Sequence, residues 1–248
     1  MIDGRNQDTT IFNPRYIHWI CDRRLGIGAD GLIILEQGEK ADFRMRYFNS
    51  DGNEGTMCGN GGRCITLFAS RLGLTGTDAR FEGIDGLHTS TILPDGLIKL
   101  KLKDVEGIHQ LEDGYLVDTG SPHFVKFVPQ LDQLDVELEG REVRNQSRFG
   151  KGGVNVNFVV QEGTSGHIRV RTYERGVEAE TLSCGTGVTA AAICSWFHYD
   201  ADIFSYHVQT LGGILEVSFK ADDQHRFTDI YLTGPSLHVF DGTVELNP

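Results

Sequence analysis

Three blocks of this chain occur twice, in the same order. "FRMRYFN" at 43–49 resembles "IRVRTYE" at 168–174, with arginines alternating with apolar residues in both. "CGNGGRCI" at 58–65 resembles "CGTGVTAA" at 184–191, and "FEGIDGLH" at 81–88 resembles "VQTLGGIL" at 208–215. The spacings are 125, 126 and 127 residues. Glycine-turned hairpins resemble one another by default, which covers the third block but not the two cysteine loops. The repetition therefore predicts two halves of one α+β design, each a strand, a Cys-Gly-x-Gly loop, a helix and a hairpin. A chain of 248 residues has room for both.

The local signals agree with that outline. β-type runs are expected at 32–36, 43–49, 97–102, 123–128, 154–160, 167–174, 214–220 and 230–233. Helices are expected at 59–72 and 185–199, with a shorter one at 15–24. The boundary falls in the polar stretch 104–113, giving halves of residues 1–106 and 107–248.

In each half a cysteine, Cys58 or Cys184, stands immediately before the expected helix. The first-turn N–H groups of a helix lack intrahelical partners and carry partial positive charge. They bias a thiol there toward thiolate and offer donors to a carboxylate, with glycine permitting close approach. A duplicated unit is expected to place its site where equivalent elements face each other, which would bring Cys58 and Cys184 together. Two thiols on opposite faces of an amino acid Cα could then remove a proton from one side and deliver one to the other. The result would be inversion without a cofactor. A single base tends to return the proton to the face it came from.

Charge and cysteine count exclude other classes. The net charge is −12, which argues against binding a phosphate backbone. Five cysteines in a chain opening on the polar "MIDGRNQDTT" predict thiols rather than a disulfide framework, and a cytoplasmic setting. No apolar stretch reaches the length of a membrane span. The GxGxxG pattern at 26–31 precedes a strand instead of following one, so it reads as a turn and not a dinucleotide site. Cys58 and Cys64 lack a second ligand pair for zinc, and Cys21, Cys64 and Cys194 read as buried small residues.

The residues also carry a resemblance. "RRLGIGADGLIILE", "RYFNSDGNEGTMCGNGGRC", "NVNF", "YERGVEAETLSCGTG" and "GPSLHVFDG" fall in the order found in diaminopimelate epimerases. That resemblance implies two pseudo-symmetric domains, each a strongly curved, mostly antiparallel sheet around a central helix, with segment 235–248 packing back on the N-terminal one. It implies interconversion of LL- and meso-diaminopimelate, on the route to lysine and peptidoglycan, with no cofactor and no metal. The expected partner is the small-molecule substrate, with no nucleic acid and no membrane, and homodimerisation is common in such folds.

Carried over residue by residue, Cys58 and Cys184 are the acid/base pair. Gly59, Asn60, Gly185 and Thr186 hold the reacting carboxylate. Asn49, Asn155 and Arg175 recognise the distal end of the substrate, and His123 and Glu174 adjust the thiols, with Glu174 also among the substrate contacts. Ser121 stands where the family commonly has asparagine and is a weaker substrate-binding candidate. The family normally opens on a strand ending in Gly-x-Gly-Asn-Asp-Phe; here Met1-Ile2-Asp3 aligns with the family's next segment, so that strand is expected to be missing. Two alternatives stand beside this reading. One is another two-cysteine racemase of like fold, such as a proline racemase-like protein, against which Asn60 speaks because those typically carry histidine there. The other is a binding-only protein inactive for want of its first strand.

Overall fold

The computed structural model describes residues 1–56, 58–163 and 166–245. The chain divides into two compact units, Met1–Leu100 joined by the segment from Pro235 onward, and Lys101–Gly234.

The first unit contains β1 (Ile2–Asp3), α1 (Pro14–Cys21), β2 (Gly31–Gln37), β3 (Phe43–Asn49), β4 (Glu54–Gly55), α2 (Gly59–Arg71), β5 (Asp78–Gly83), β6 (Gly86–Ile92) and all but the last residue of β7 (Ile98–Lys101). Its strands run in the order β1-β2-β3-β5-β6-β7, with β4 paired to β3. Strands β3 and β5 are parallel, with Phe43 opposite Phe81, and α2 is the crossover that parallel neighbours require. Phe43 and Phe81 stack with ring centroids 5.3 Å apart. Below α1, Ile17 and Cys21 pack on Leu32, Ile34 and Phe48. Asn13 starts α1 by accepting from Tyr16 N, ahead of Pro14.

The second unit contains β8 (His109–Leu111), β9 (Gly114–Asp118), β10 (Pro122–Phe127), α3 (Val136–Arg144), β11 (Asn155–Gln161), β12 (His167–Glu174), β13 (Ala179–Thr181), α4 (Gly185–His198), β14 (Ser205–Thr210), β15 (Gly213–Ala221) and β16 (Phe227–Gly234). Its strands run β16-β15-β14-β12-β11-β10-β9-β8, with β13 paired to β12. Here β12 and β14 are the parallel pair, Ile168 opposite Val208, and α4 is the crossover. From Val188 to Ser195 every residue of α4 is buried, so this stretch of the helix has no solvent face. It packs against β9, β10, β11, β12, β14, β15 and β16, which requires the sheet to curve around it. Its hydroxyls stay inside: Thr189 donates to Gly185 O and Ser195 to Ala191 O.

The repeats in the sequence are the repeats in the fold. Glu82 opposite Leu87 in the β5–β6 hairpin matches Gln209 opposite Ile214 in β14–β15, at the spacing of the third sequence block. Strand bounds differ from the sequence reading by a residue or two at most ends. The helices differ more. The first helix ends at Cys21, because Asp22 accepts from Arg24 N and Leu25 N and turns the chain before Arg24. Helix α3 was not foreseen. Asp135 caps it by accepting from Leu138 N, and it lies against β12 at Gly140, where a Cβ would come within 2.3 Å of Tyr173 Cβ.

Candidate active site

Strands β3 and β12 each deliver the chain to a cysteine that begins a crossover helix. Asn49 is the last residue of β3 and Glu174 the last of β12. In a strand–helix–parallel strand unit the helix N-terminus lies at the carboxyl end of the strand feeding it, the ordinary place for a ligand. Asn49 and Glu174 thus stand at the carboxyl ends of the strands that lead to α2 and α4, with Arg175 next in the chain.

In the first unit Cys58 is the N-cap of α2, in extended backbone, and its Sγ accepts a hydrogen bond from Gly61 N at 3.2 Å. A cysteine in place of the usual serine or aspartate leaves a polarisable sulfur on the positive end of the helix. Space at Gly61 is tight: a Cβ would lie 3.0 Å from that sulfur, 3.1 Å from Met45 Cε and 3.3 Å from Ile33 Cδ1. Asn60 is exposed, whereas Gly59 is buried. Asn60 Oδ1 accepts from Arg63 Nη2 at 2.8 Å, which turns its NH2 group away from the guanidinium as a donor. Arg63 also donates to Gly59 O and to Pro235 O. It is buried, and among the described residues it has no carboxylate partner. Burial pulls its pKa down, while attraction to Cys64 and Cys58 opposes the shift. Asn49 is exposed, with Oδ1 accepting from Tyr47 Oη at 3.0 Å.

In the second unit Cys184 is the N-cap of α4 and is 8% exposed. Its Sγ lies 3.4 Å from Thr186 Oγ1. Thr186 Oγ1 is 2.9 Å from His123 Nε2, which is 3.0 Å from Ser121 Oγ. Thr186 O accepts from Thr119 Oγ1, tying the first turn of α4 to the end of β9. Burial, with the Arg175 charge adding to it, pushes the His123 pKa down to about 3, so the ring is neutral at any working pH. Asn155 is buried, with Oδ1 accepting from Arg175 N and Nδ2 donating to Ser121 Oγ and Pro122 O. Arg175 is half-buried, donates weakly to Gly153 O at 3.4 Å, and is in no ion pair among the described residues. Its guanidinium is therefore available to a carboxylate. Glu174 is half-buried and begins the turn in which Glu178 N donates to Glu174 O.

Cys184, Thr186, Ser121, His123, Asn155 and Arg175 thus belong to one connected cluster, and Cys58, Gly59 and Asn60 to the start of α2. The sequence reading missed Arg63, which stands three and four residues beyond Asn60 and Gly59 on a helix. It also missed Asn157, two residues beyond Asn155 on β11 and so on the same face of the strand. The other cysteines differ. Cys194 and Cys21 are buried, and burial pushes both thiols up. Cys64 was expected to be buried; it is half-buried, with its sulfur accepting from Ser236 Oγ at 3.5 Å. Among the described residues no cluster of His, Cys, Asp and Glu could hold a metal ion, and no helix is long and apolar enough to cross a membrane.

Comparison with known proteins places this arrangement. The diaminopimelate epimerase family profile matches residues 1–106 and 115–239. A diaminopimelate epimerase of Flavobacterium psychrophilum is 46% identical over 244 residues, covering 98% of this chain and 94% of the relative. One of Chlorobaculum tepidum is 42% identical over 256 residues, covering 99% and 96%. Among solved structures, a phenazine biosynthesis protein of the PhzF family from Bacillus anthracis has a TM-score of 0.71 at 16% identity, covering 94% of this chain and 89% of that one. A hydroxyproline epimerase from Agrobacterium vitis has a TM-score of 0.64 at 17% identity, covering 90% and 79%. These distant likenesses establish the α+β fold alone; the close ones establish the family. Its profile takes in both cysteine-capped helices, and the chain belongs to the diaminopimelate epimerase family.

Proposed function

We propose that this chain interconverts LL- and meso-diaminopimelate without a cofactor, with Cys58 and Cys184 acting on opposite faces of Cα. The observation that carries the reading is the repeated arrangement at equivalent positions of both units: a crossover helix with cysteine at its N-cap position, opened by Gly-x-Gly. One thiolate takes the α-proton, breaking the Cα–H bond and leaving its electron pair delocalised onto the substrate carboxylate. The opposite thiol gives its proton to the other face, forming the new Cα–H bond with inverted configuration. The two sulfurs end with exchanged protonation, so the reverse reaction uses the same groups.

The developing carboxylate charge is stabilised by donors from the helix starts, at Gly59 and Asn60 on one side and Gly185 and Thr186 on the other. Arg63 supports Asn60 in this role by holding its oxygen and leaving the NH2 group outward. The distal, unreactive end carries a second carboxylate, for which the Arg175 guanidinium is suited, with Asn49, Asn155, Ser121 and Glu174 lining that end. His123 is neutral, so it acts on Cys184 through hydrogen bonding and not as a charge. The rest of the reading is a cytoplasmic enzyme supplying lysine and peptidoglycan precursors, with a small-molecule substrate, no nucleic-acid partner, and homodimerisation.

Incubation of the chain with LL-diaminopimelate under reducing conditions tests the function, with the isomers separated chromatographically. The meso isomer should accumulate until the two forms stand at equilibrium. Binding of the substrate without inversion would instead support a binding-only protein.

A further inference from the structure

Asn157 is fully buried in the second unit, and its amide touches three groups. Nδ2 donates to Phe124 O at 3.2 Å and lies 3.1 Å from His123 Nδ1; Oδ1 accepts from Thr172 Oγ1 at 3.0 Å. A backbone carbonyl can only accept, so Phe124 O fixes which end of the amide is the NH2. That NH2 group also faces Nδ1, which must then carry a lone pair. A neutral imidazole with a bare Nδ1 has its proton on Nε2.

The Nε2–H reaches Thr186 Oγ1 at 2.9 Å and Ser121 Oγ at 3.0 Å. Because Thr186 Oγ1 accepts there, its own proton is left to point elsewhere, and two acceptors lie 3.4 Å away: Cys184 Sγ, at an ordinary distance for a sulfur acceptor, and Ser121 Oγ, which is far for an O–H···O bond. With the opposite tautomer, Nε2 would be an acceptor and would draw the Thr186 hydroxyl proton away from the sulfur. Gly187 belongs to the same device: a Cβ there would lie 2.4 Å from Asn157 Oδ1, so the glycine makes room for the amide against the first turn of α4. The start of α2 is built differently, since the neighbours that Gly61 accommodates are Ile33, Met45 and Cys58 itself. The polar floor belongs to the Cys184 helix.

We propose that Asn157 is a positioning residue for this reaction: its NH2 group holds His123 in the Nε2–H tautomer, which aims the Thr186 hydroxyl proton at the Cys184 sulfur. The proposal rests on the reading of Cys184 as one of the two bases. A hydroxyl donating to the sulfur favours the thiolate and orients its lone pair, so its loss belongs to the proton-transfer step and not to substrate binding.

The experiment is histidine ring 15N–1H correlation NMR on the intact chain, paired with steady-state kinetics. The chain has nine histidines, and the His123 signal is assigned by its loss in His123→Gln. The wild type should show a neutral Nε2–H ring. In Asn157→Asp, read at a pH where the new carboxyl is ionised, the side chain can only accept, so the proton should move to Nδ1, with kcat falling on the order of tenfold or more and KM staying within about twofold. Should that variant fail to fold, Asn157→Ser removes the amide donor and should give mixed tautomers with a loss in the same direction. An Nδ1–H ring in the wild type overturns the proposal, as does a tautomer unmoved by Asn157→Asp, or a moved tautomer with kcat unchanged. Failure of the two-thiol reading is distinguishable: Cys184→Ser would then keep its turnover while the wild-type tautomer stayed as assigned.

Discussion

Cys184 and Cys194 lie on one helix, and their surroundings make them different reagents. Cys194 is fully buried, and burial holds it as a neutral thiol. Cys184 meets the positive end of the helix and a hydroxyl at 3.4 Å. Replacing Cys58 or Cys184 with serine should lower kcat by roughly a hundredfold or more, because a hydroxyl is a far weaker acid. Assays of meso isomer formation by the two variants check this, and either one retaining wild-type turnover would remove the two-thiol mechanism. Arg63 is the residue in the first unit most open to test. In Arg63→Gln the buried charge near Cys58 is lost and Asn60 is released from its fixed orientation. KM for diaminopimelate should rise about tenfold, since donors to the carboxylate lose their alignment. Alkylation of Cys58 by iodoacetamide, followed by peptide mapping, should also slow, because a nearby cation favours thiolate.

Among the elements, the two cysteine-capped helices were the most legible in the sequence, because glycine beside cysteine has few structural uses and the pattern occurs twice. The strands feeding them were legible for the same reason. What escaped was α3. Its Asp135 cap and the apolar spacing of Val136 and Val143 are ordinary helix signals, but three glutamates, two arginines and a mid-helix glycine obscured them. Gly140 is there for packing, not propensity, and only the position of Tyr173 shows it. Gly140→Ala should therefore destabilise the protein by about 1–3 kcal/mol despite the better helix propensity of alanine. Urea unfolding reads the change, and an unaltered or raised midpoint would mean that α3 does not press on β12. The polar floor of α4 was half-legible. "NVNF" places both asparagines on one face of a strand, yet which of them touches substrate and which supports a histidine depends on contacts from β10 and β12 that are distant in sequence.

For the whole molecule, the clearest pH signature comes from His123. Its folded pKa is about 3 against an ordinary 6.5, so between those values the unfolded chain binds a proton that the folded chain does not. Stability should accordingly fall as pH drops from about 6.5 toward 3, by up to roughly 5 kcal/mol from this group alone. Asp113, whose carboxyl Arg148 holds below the usual range, loses stability in the same direction at lower pH. Urea midpoints measured between pH 7 and 4 check the slope, which should be shallower in His123→Gln. The central claim is that inversion needs one thiol from each half of the duplicated chain, and proton accounting tests it most directly. In D2O, initial-rate conversion of LL-diaminopimelate should place solvent deuterium at Cα of the meso product while recovered substrate keeps its protium. That is the pattern of one group removing the proton and another, already exchanged with solvent, delivering its replacement. Protium retained in the product, or deuterium appearing equally in recovered substrate and product from the first turnovers, would mean that a single base serves both faces, and would contradict the account.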